Sequence, residues 1–370
     1  MDRVVGRRDF IGKAASAALV PFVMNAGSQA GQAQGGKSAP APRTGNSLKI
    51  KRIAVEEHWS SRELSGSYGI APRSWLSETR LPTSPEKTRA MADLGDIRLA
   101  DMDAAGIAVQ VVSAGAVMGF ADVPKAVDAA KKRNDDFAAL LGKHPTRFAG
   151  FAALPLQDPK AAADELERAI NQLGMKGTMI SGLPNHEYLD ADKYRVLWER
   201  SDGLGVPIYI HPGDPAAEYM KMWEDRPILL GNTWTWGVET ATQALRVIAA
   251  GVFDAYPKAT IILGHLGESL PFLLGRMDEG LSSVAPKYKT IKKTLSAYVK
   301  ENILVTTSGW YQPEALVCAI SAMGADRVLF ADDYPHVSTK LAVEMFENTP
   351  MSESDREKIY HLNAERWLKL

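Results

Sequence analysis

Short runs of β-branched and other apolar residues alternate with amphipathic segments through most of the chain. The first run, 51–55, follows a long polar lead-in, and seven more come after it, at 109–113, 147–154, 177–180, 206–210, 259–263, 303–307 and 327–330. Between most of these runs, apolar residues recur at helical spacing. Strands that alternate with helices in this number predict an α/β fold of the (β/α)8 TIM-barrel type.

The helical pattern is clearest in five segments, at 124–143, 158–173, 191–204, 238–250 and 354–369. Asp158 and Pro159 give the second of these an N-terminal cap and a favourable first residue. A doubly wound open sheet would also alternate strands with helices, but it needs a glycine-rich phosphate-binding turn after an early strand. The first strand here runs into Glu56-Glu57-His58 instead, which favours the barrel.

The size and composition of the chain fit one large domain and exclude several classes of function. With 370 residues and 45% hydrophobic content, the chain can bury a single barrel core. A formal net charge of -1 provides no basic surface for nucleic acid. The single cysteine, Cys318, excludes an intramolecular disulfide and a thiolate metal cluster. Beyond the N-terminal region, no apolar stretch is long enough to span a bilayer.

The N-terminal segment is expected to be a targeting sequence rather than part of the fold. Two arginines, Arg7 and Arg8, precede an apolar pair and a weakly hydrophobic stretch at 14–26, as in a twin-arginine export signal. Gly6 stands where serine or threonine is usual in such signals. Residues 1–30 are therefore predicted to be a signal peptide and the mature protein to be periplasmic. It would be cytoplasmic if the signal is not used.

The rest of the chain divides into a linker and a barrel. Residues 31–47 are rich in small and polar residues and lack hydrophobic periodicity, so they are predicted to be a flexible linker. Residues 48–370 are predicted to form the barrel domain. Two long irregular segments within it, 59–98 and 214–237, follow the first and fifth strands. Barrels carry their chemistry at that end of the strands, so both segments are candidate pocket walls.

Residues that can bind a metal follow several of the predicted strands. Glu56 and His58 end the first strand, His211 the fifth, His265 the sixth and Asp333 the eighth. Side chains alternate along a strand, so Glu56 and His58 are expected to point to the same side. The carboxyl ends of barrel strands surround one axis, which would bring all five together. Carboxylates and imidazoles without a thiolate suit one divalent ion, zinc or manganese, with an open coordination position.

The same strand ends carry a family resemblance. Its motifs are Val55-Glu56-Glu57-His58, Arg147-Phe148-Ala149-Gly150-Phe151, Tyr209-Ile210-His211-Pro212-Gly213, Leu263-Gly264-His265-Leu266-Gly267-Glu268 and Phe330-Ala331-Asp332-Asp333-Tyr334-Pro335. With them, the chain resembles the amidohydrolase superfamily from about Lys51 to Arg366. Within that superfamily it is similar to the metal-dependent, non-oxidative decarboxylases of γ-resorcylate, 2,3-dihydroxybenzoate, 5-carboxyvanillate and aminocarboxymuconate semialdehyde.

The resemblance implies roles for individual residues. The metal ligands it implies are Glu56, His58, His211 and Asp333, and the Glu-x-His form resembles the hydroxybenzoate-type enzymes. It implies that His265 either faces the substrate or supports the residues that do, with Glu268 as its partner. Asp333, His265 and Glu268 are the expected catalytic group. The resemblance implies that Arg276 would hold a substrate carboxylate. Trp59, Trp234 and Trp236 are expected to contact the substrate as well, and the alternative for the aromatic-rich segment 214–237 is packing on the barrel or in a subunit interface. The chain departs from the family at His336, where phenylalanine is common after Asp-Tyr-Pro.

The leading functional hypothesis is decarboxylation of a hydroxylated aromatic acid, with Asp333 protonating the ring carbon that bears the carboxylate. Such a donor must be a carboxylic acid, so the pKa of Asp333 is expected to be raised by a low-polarity pocket. Hydrolysis of a lactone, ester or amide is the alternative, because the same residues can activate water. A barrel that binds a ligand without catalysis is a third hypothesis, disfavoured because no ligand position is missing. The expected partners are a small aromatic carboxylate and a second copy of the chain, as a dimer or tetramer.

Overall fold

The computed structural model describes residues 50–60, 83–115, 117, 122–284, 287, 290–309 and 312–370. The predicted signal peptide, 1–30, and the predicted linker, 31–47, lie outside these ranges. Within the described residues, no helix combines the length and the apolar character needed to cross a bilayer.

Within the described residues, eight parallel strands form the centre of the molecule, in one ladder of three strands and one of five. They are β1 (Ile53–His58), β2 (Val109–Ser113), β3 (Phe148–Phe151), β4 (Thr178–Ser181), β5 (Ile208–His211), β6 (Ile261–Leu263), β7 (Ile303–Thr306) and β8 (Val328–Leu329). The ladders β1–β3 and β4–β8 are joined by the amide of Ala152, which donates to the Gly177 carbonyl at 2.9 Å. The amide of Val55 donates to the Phe330 carbonyl at 3.1 Å and closes the ring. The predicted eight-stranded barrel is confirmed.

Helices follow most of the strands. They are α1 (Pro85–Ala92), α2 (Asp96–Ala105), α3 (Val123–Leu141), α4 (Pro159–Leu173), α5 (Arg195–Leu204), α6 (Ala217–Met220), α7 (Thr235–Ala249), α8 (Val252–Ala255), α9 (Leu270–Val284), α10 (Leu295–Asn302), α11 (Pro313–Met323), α12 (Thr339–Asn348), α13 (Glu353–Glu357) and α14 (Asn363–Leu368). The segment predicted to be irregular, 59–98, contains all of α1 and the start of α2, so that prediction was wrong at these residues. A π-helical turn, Lys358–Leu362, interrupts the predicted last helix.

Both faces of the strands are buried. The barrel interior is filled by one side chain or two from each strand: Ile53, Val55, Val111, Phe151, Met179, Tyr209, Ile262, Leu304 and Leu329. A larger apolar layer separates the strands from the helices. Because this interior is filled, only the ends of the strands are open to form a site.

A bulge in β1 determines which of its residues face the barrel axis. Its pairing with β2 shifts by one residue between Ala54 and Glu57. Ile53 and Val55 belong to the interior cluster, so strict alternation would turn Glu57 inward next. The extra residue of the bulge turns Glu56 inward instead, against Tyr209 of β5.

The cap of α4 offers a direct test of the helix assignment. One carboxylate oxygen of Asp158 accepts hydrogen bonds from the amides of Lys160 and Ala161, both at 3.0 Å. Asp158→Ala is expected to lower the free energy of unfolding by about 1 kcal/mol, because both amides lose their acceptor. Urea denaturation measures the loss, with Asp128→Ala, at an exposed position inside α3, as the control. Equal losses in the two variants would contradict the assignment.

Candidate active site

Four side chains meet at the carboxyl end of the barrel. Glu56 and His58 come from the end of β1, His211 is the last residue of β5, and Asp333 follows β8. Each offers one ligand atom, and these atoms all lie within 4.8 Å of one another. The structure therefore brings together the four residues that were predicted to bind a metal.

The four ligand atoms lack other partners. Oε1 of Glu56, Nε2 of His58, Nε2 of His211 and Oδ1 of Asp333 are buried and make no hydrogen bond among the described residues. Nε2 of His58 lies 2.9 Å from Oδ1 of Asp333, and Nε2 of His211 lies 3.4 Å from Oε1 of Glu56. Unpaired buried polar atoms are costly, and a cation between them would satisfy all four at once. Two carboxylates and two imidazoles fit a divalent ion such as manganese or zinc.

Three hydroxyl groups hold the other oxygen of Glu56. Oε2 accepts hydrogen bonds from Tyr209 of β5, from Thr306 of β7 at 2.7 Å and from Ser308 just after β7. Burial raises the pKa of Glu56, while His265 and the hydroxyls of Ser308 and Tyr209 act in the opposite direction. Gly264 leaves room for the carboxylate, since a Cβ there would lie 2.9 Å from both of its oxygens. None of these contacts was predicted: Thr306 and Ser308 lie outside the family motifs, and the motifs that contain Tyr209 and Gly264 do not indicate a contact with Glu56.

The protonation of His211 leaves one ring nitrogen free to bind a metal. Its Nδ1 lies 3.0 Å from the carbonyl oxygen of Pro212 and can only donate to it, so Nε2 carries the lone pair. Burial and the neighbouring ring of His58 hold the pKa of His211 well below its usual value. The neutral imidazole that a metal requires is therefore the stable form.

His265 lies beside Asp333 and is bound to Glu268. Its Nδ1 is 2.7 Å from Oε1 of Glu268, and its Nε2 is 4.0 Å from Oδ2 of Asp333. Burial alone would lower the pKa of His265, but the carboxylates of Glu56, Asp333 and Glu268 outweigh it and raise the pKa well above its usual value. The imidazole is therefore held as an imidazolium in a cluster of carboxylates.

The expected rise in the pKa of Asp333 was wrong. Burial does act to raise it, but the contacts with His265 and His58 outweigh burial and place the pKa of Asp333 below its usual value. The proton of this group resides on His265 rather than on the aspartate.

The residues predicted to contact substrate are not all near the cluster. Trp59 belongs to the core: its ring stacks on Phe137 with 5.2 Å between centroids, and its indole nitrogen donates to the Ala92 carbonyl. These contacts give Trp59, which is 3% exposed, a packing role, and its predicted substrate contact stays a prediction. Trp236 is half-buried and donates to Asp214 at 2.9 Å. Trp234, 53% exposed, and Arg276, also exposed, lie on the surface.

His336 lies at the rim of the cluster. Its side chain is exposed, and its ring meets that of His58 edge-on with 5.3 Å between centroids. The rim position follows from the turn after β8, where the amide of His336 donates to the Asp333 carbonyl at 2.8 Å.

A second buried group, formed by Glu57, Asp332 and Arg98, lies behind the ligands. The sequence motifs did not indicate its role. Glu57 points away from the cluster and accepts a hydrogen bond from the amide of Tyr334 at 3.0 Å. Burial raises the pKa of Glu57, and the nearby Asp332 raises it further. Arg98 of α2 is completely buried and donates to the carbonyl of His58 at 2.6 Å. This group links the β1 and β8 ends from behind.

Sequence comparison places the chain in a known family. The amidohydrolase family model matches residues 76–370, and the chain belongs to this family. It is 40% identical to a γ-resorcylate decarboxylase of Polaromonas sp. over 331 residues, which cover 86% of this chain and 98% of that protein. This confirms the resemblance to the aromatic-acid decarboxylase branch.

Solved structures agree with this assignment. A 2,6-dihydroxybenzoate decarboxylase complexed with 2,6-dihydroxybenzoate has a TM-score of 0.78 and 38% identity, over 86% of this chain and 99% of the other. A dihydroxybenzoic acid decarboxylase from Polaromonas sp., with bound manganese and the inhibitor 2-nitroresorcinol, has a TM-score of 0.77 and 39% identity, over 87% and 97%.

The hydroxyl groups around Glu56 should contribute to metal affinity. Tyr209→Phe removes one donor to Oε2 and is expected to weaken binding of Mn²⁺ by about tenfold or more, because groups that orient a ligand are worth that much. A competition titration against a chelating dye measures the affinity. Tyr256→Phe, at a half-buried position in the outer apolar layer, is the control and should bind Mn²⁺ as the wild type does. An unchanged affinity in Tyr209→Phe would contradict the role.

Proposed function

We propose that this protein is a metal-dependent, non-oxidative decarboxylase of a hydroxylated aromatic carboxylic acid. The observation that carries the proposal is the cluster of four unpaired ligand atoms from Glu56, His58, His211 and Asp333. It is supported by relatives named for such decarboxylation. The related structure with bound 2,6-dihydroxybenzoate supports a substrate whose ring carries a hydroxyl beside its carboxylate.

The four residues would hold one divalent ion, and manganese is the ion named with three related structures. Such an ion, when bound, would neutralise the substrate carboxylate and the adjacent phenolic oxygen and fix the ring in place. Two features favour binding of this ion: His211 is kept neutral, and three hydroxyls fix Oε2 of Glu56 by hydrogen bonds. Little rearrangement of ligands is then required.

The protein must supply a proton to the ring carbon that bears the carboxylate. We assign this transfer to Asp333: its O–H bond breaks as the new C–H bond forms at that carbon. The bond between the ring and the carboxylate then breaks. Its electron pair returns to the ring and restores aromaticity, and CO₂ leaves.

His265 would provide the proton that Asp333 transfers. Its Nε2 is 4.0 Å from Oδ2 of Asp333, and Glu268 holds the opposite side of the ring. An anionic substrate beside Asp333 raises the pKa of that carboxyl, which favours movement of the proton from His265 to Asp333. In this proposal His265 holds the proton before the reaction, and Asp333 delivers it to the substrate.

The alternative of hydrolysis is decided by product analysis. The manganese-loaded protein is incubated with hydroxybenzoates, among them 2,6-dihydroxybenzoate, and with aromatic lactones, and release of CO₂ and of acid is measured. Release of CO₂ from a hydroxybenzoate is expected. Acid released from lactones alone would overturn the proposed function.

We also propose, on the sequence alone, that residues 1–30 direct export to the periplasm by the twin-arginine route, that 31–47 are a linker and that 48–370 form the barrel domain. Self-association is proposed as well. Phe272 and Leu273, adjacent on α9, are 79% and 36% exposed, and such neighbouring apolar side chains suit a contact between copies.

Removal of the Asp333 carboxyl tests the assigned proton transfer. Asp333→Asn is expected to lower kcat by at least about 100-fold, because an amide cannot deliver the proton. CO₂ release from 2,6-dihydroxybenzoate is measured, together with bound manganese and circular dichroism. Asp326→Asn, at an exposed carboxylate before β8, should retain full activity. A folded, manganese-bound Asp333→Asn enzyme with wild-type turnover would disprove the assignment.

The partner of His265 should control the pH dependence. The Glu268 carboxylate stabilises the imidazolium and so raises the pKa of His265. Glu268→Gln lowers that pKa, so the alkaline decline of kcat/KM is expected to move to lower pH. The pH–rate profile of each enzyme measures the shift. An unmoved alkaline limb would show that His265 does not supply the proton.

A further inference from the structure

A cavity separate from the four candidate metal ligands lies between α7 and the loops that follow β4 and β5. Its volume is about 250 Å³. Its walls include the aromatic rings of Tyr188, Tyr219 and Trp223 and the charged side chains of Glu239 and Arg246. A concave surface with several aromatic walls and few polar groups has the character of a small-molecule site.

Glu239 is the polar group of this cavity that lacks a full set of partners. Its side chain is only 6% exposed, and its Oε1 makes no hydrogen bond among the described residues. The phenol of Tyr188 faces the same carboxylate. A buried carboxylate oxygen without a donor is costly, so a ligand that brings a donor would be favoured.

The positive charge in the wall is already compensated. The guanidinium of Arg246 donates to both oxygens of Asp190, at 3.1 and 2.9 Å, and lies 4.3 Å from the centroid of the Tyr188 ring. The arginine and Asp190 therefore neutralise each other. Burial raises the pKa of Glu239, while Tyr188 and Arg246 act in the opposite direction and favour its carboxylate form. A carboxylate with an unused acceptor oxygen favours a cationic ligand over an anionic one.

We propose that this cavity binds a small organic amine, outside the candidate active site. The ammonium group would donate to Oε1 of Glu239, and an apolar or aromatic body would pack against Tyr219 and Trp223. Aromatic rings beside a carboxylate suit a cation, because the faces of the rings attract positive charge. This proposal does not depend on the proposed decarboxylase activity.

The test compares benzylamine with benzyl alcohol, its neutral counterpart, on the manganese-loaded full chain. Calorimetric titration is expected to show that the amine binds about tenfold more tightly than the alcohol, as for a charge-assisted hydrogen bond. Glu239→Gln should remove that preference, and Glu224→Gln, at an exposed neighbouring position, should retain it. Tyr219→Ser, at a side chain 53% exposed, should weaken binding of both compounds without disturbing the fold.

Three outcomes would overturn the proposal. The amine and the alcohol could bind the wild type equally, or Glu239→Gln could bind benzylamine as tightly as the wild type does. Light scattering could also show that two copies associate in the wild type but not in Tyr219→Ser. That result would assign the cavity to a contact between copies.

Discussion

The buried carboxylate of Glu56 is the constraint on which the site depends. A fully buried charge requires compensation, because desolvation raises the pKa of this group and disfavours its charged form. The compensation comes from β5 and β7, whose hydroxyls hold one oxygen, and from His211 and His265, whose rings lie 3.4 and 3.7 Å from the other. Groups so distant in sequence meet only when the barrel is closed, so closure and the site form together.

The position of His265 depends on an unusual backbone. Five consecutive residues, 265–269, have φ between 51° and 76°. Four of them are not glycine, and the left-handed conformation costs each about 1–2 kcal/mol. Contacts of His265 hold the turn in place: its ring is bound to Glu268, and its amide donates to Ser308 at 3.1 Å. Strain of this kind is retained where it serves a function, and here it places the imidazole beside Asp333.

Strand periodicity predicted the eight strands, and the polar strand ends predicted five candidate ligands, because both are local signals. The family resemblance then selected the four that cluster. The sequence could not show which residues compensate them. Tyr209 has the pattern of a core residue, and only the three-dimensional structure shows its hydroxyl on Glu56. Trp59 was predicted to contact substrate, and the structure shows its ring stacked on Phe137 of α3. Whether a side chain faces the site or the helices can change from one residue to the next, and hydrophobic periodicity does not detect that change.

The two acidic pairs, Glu56-Glu57 and Asp332-Asp333, show why neighbouring carboxylates have different roles. In each pair one member faces the cluster and the other lies behind it, next to Arg98. Arg98 holds the carbonyl of His58, and Glu57 holds the amide of Tyr334. These contacts fix the backbone on both sides of the ligands His58 and Asp333. β1 and β8 are the first and last strands, and this outer group joins their ends. The geometry of the ligands His58 and Asp333 therefore depends on it.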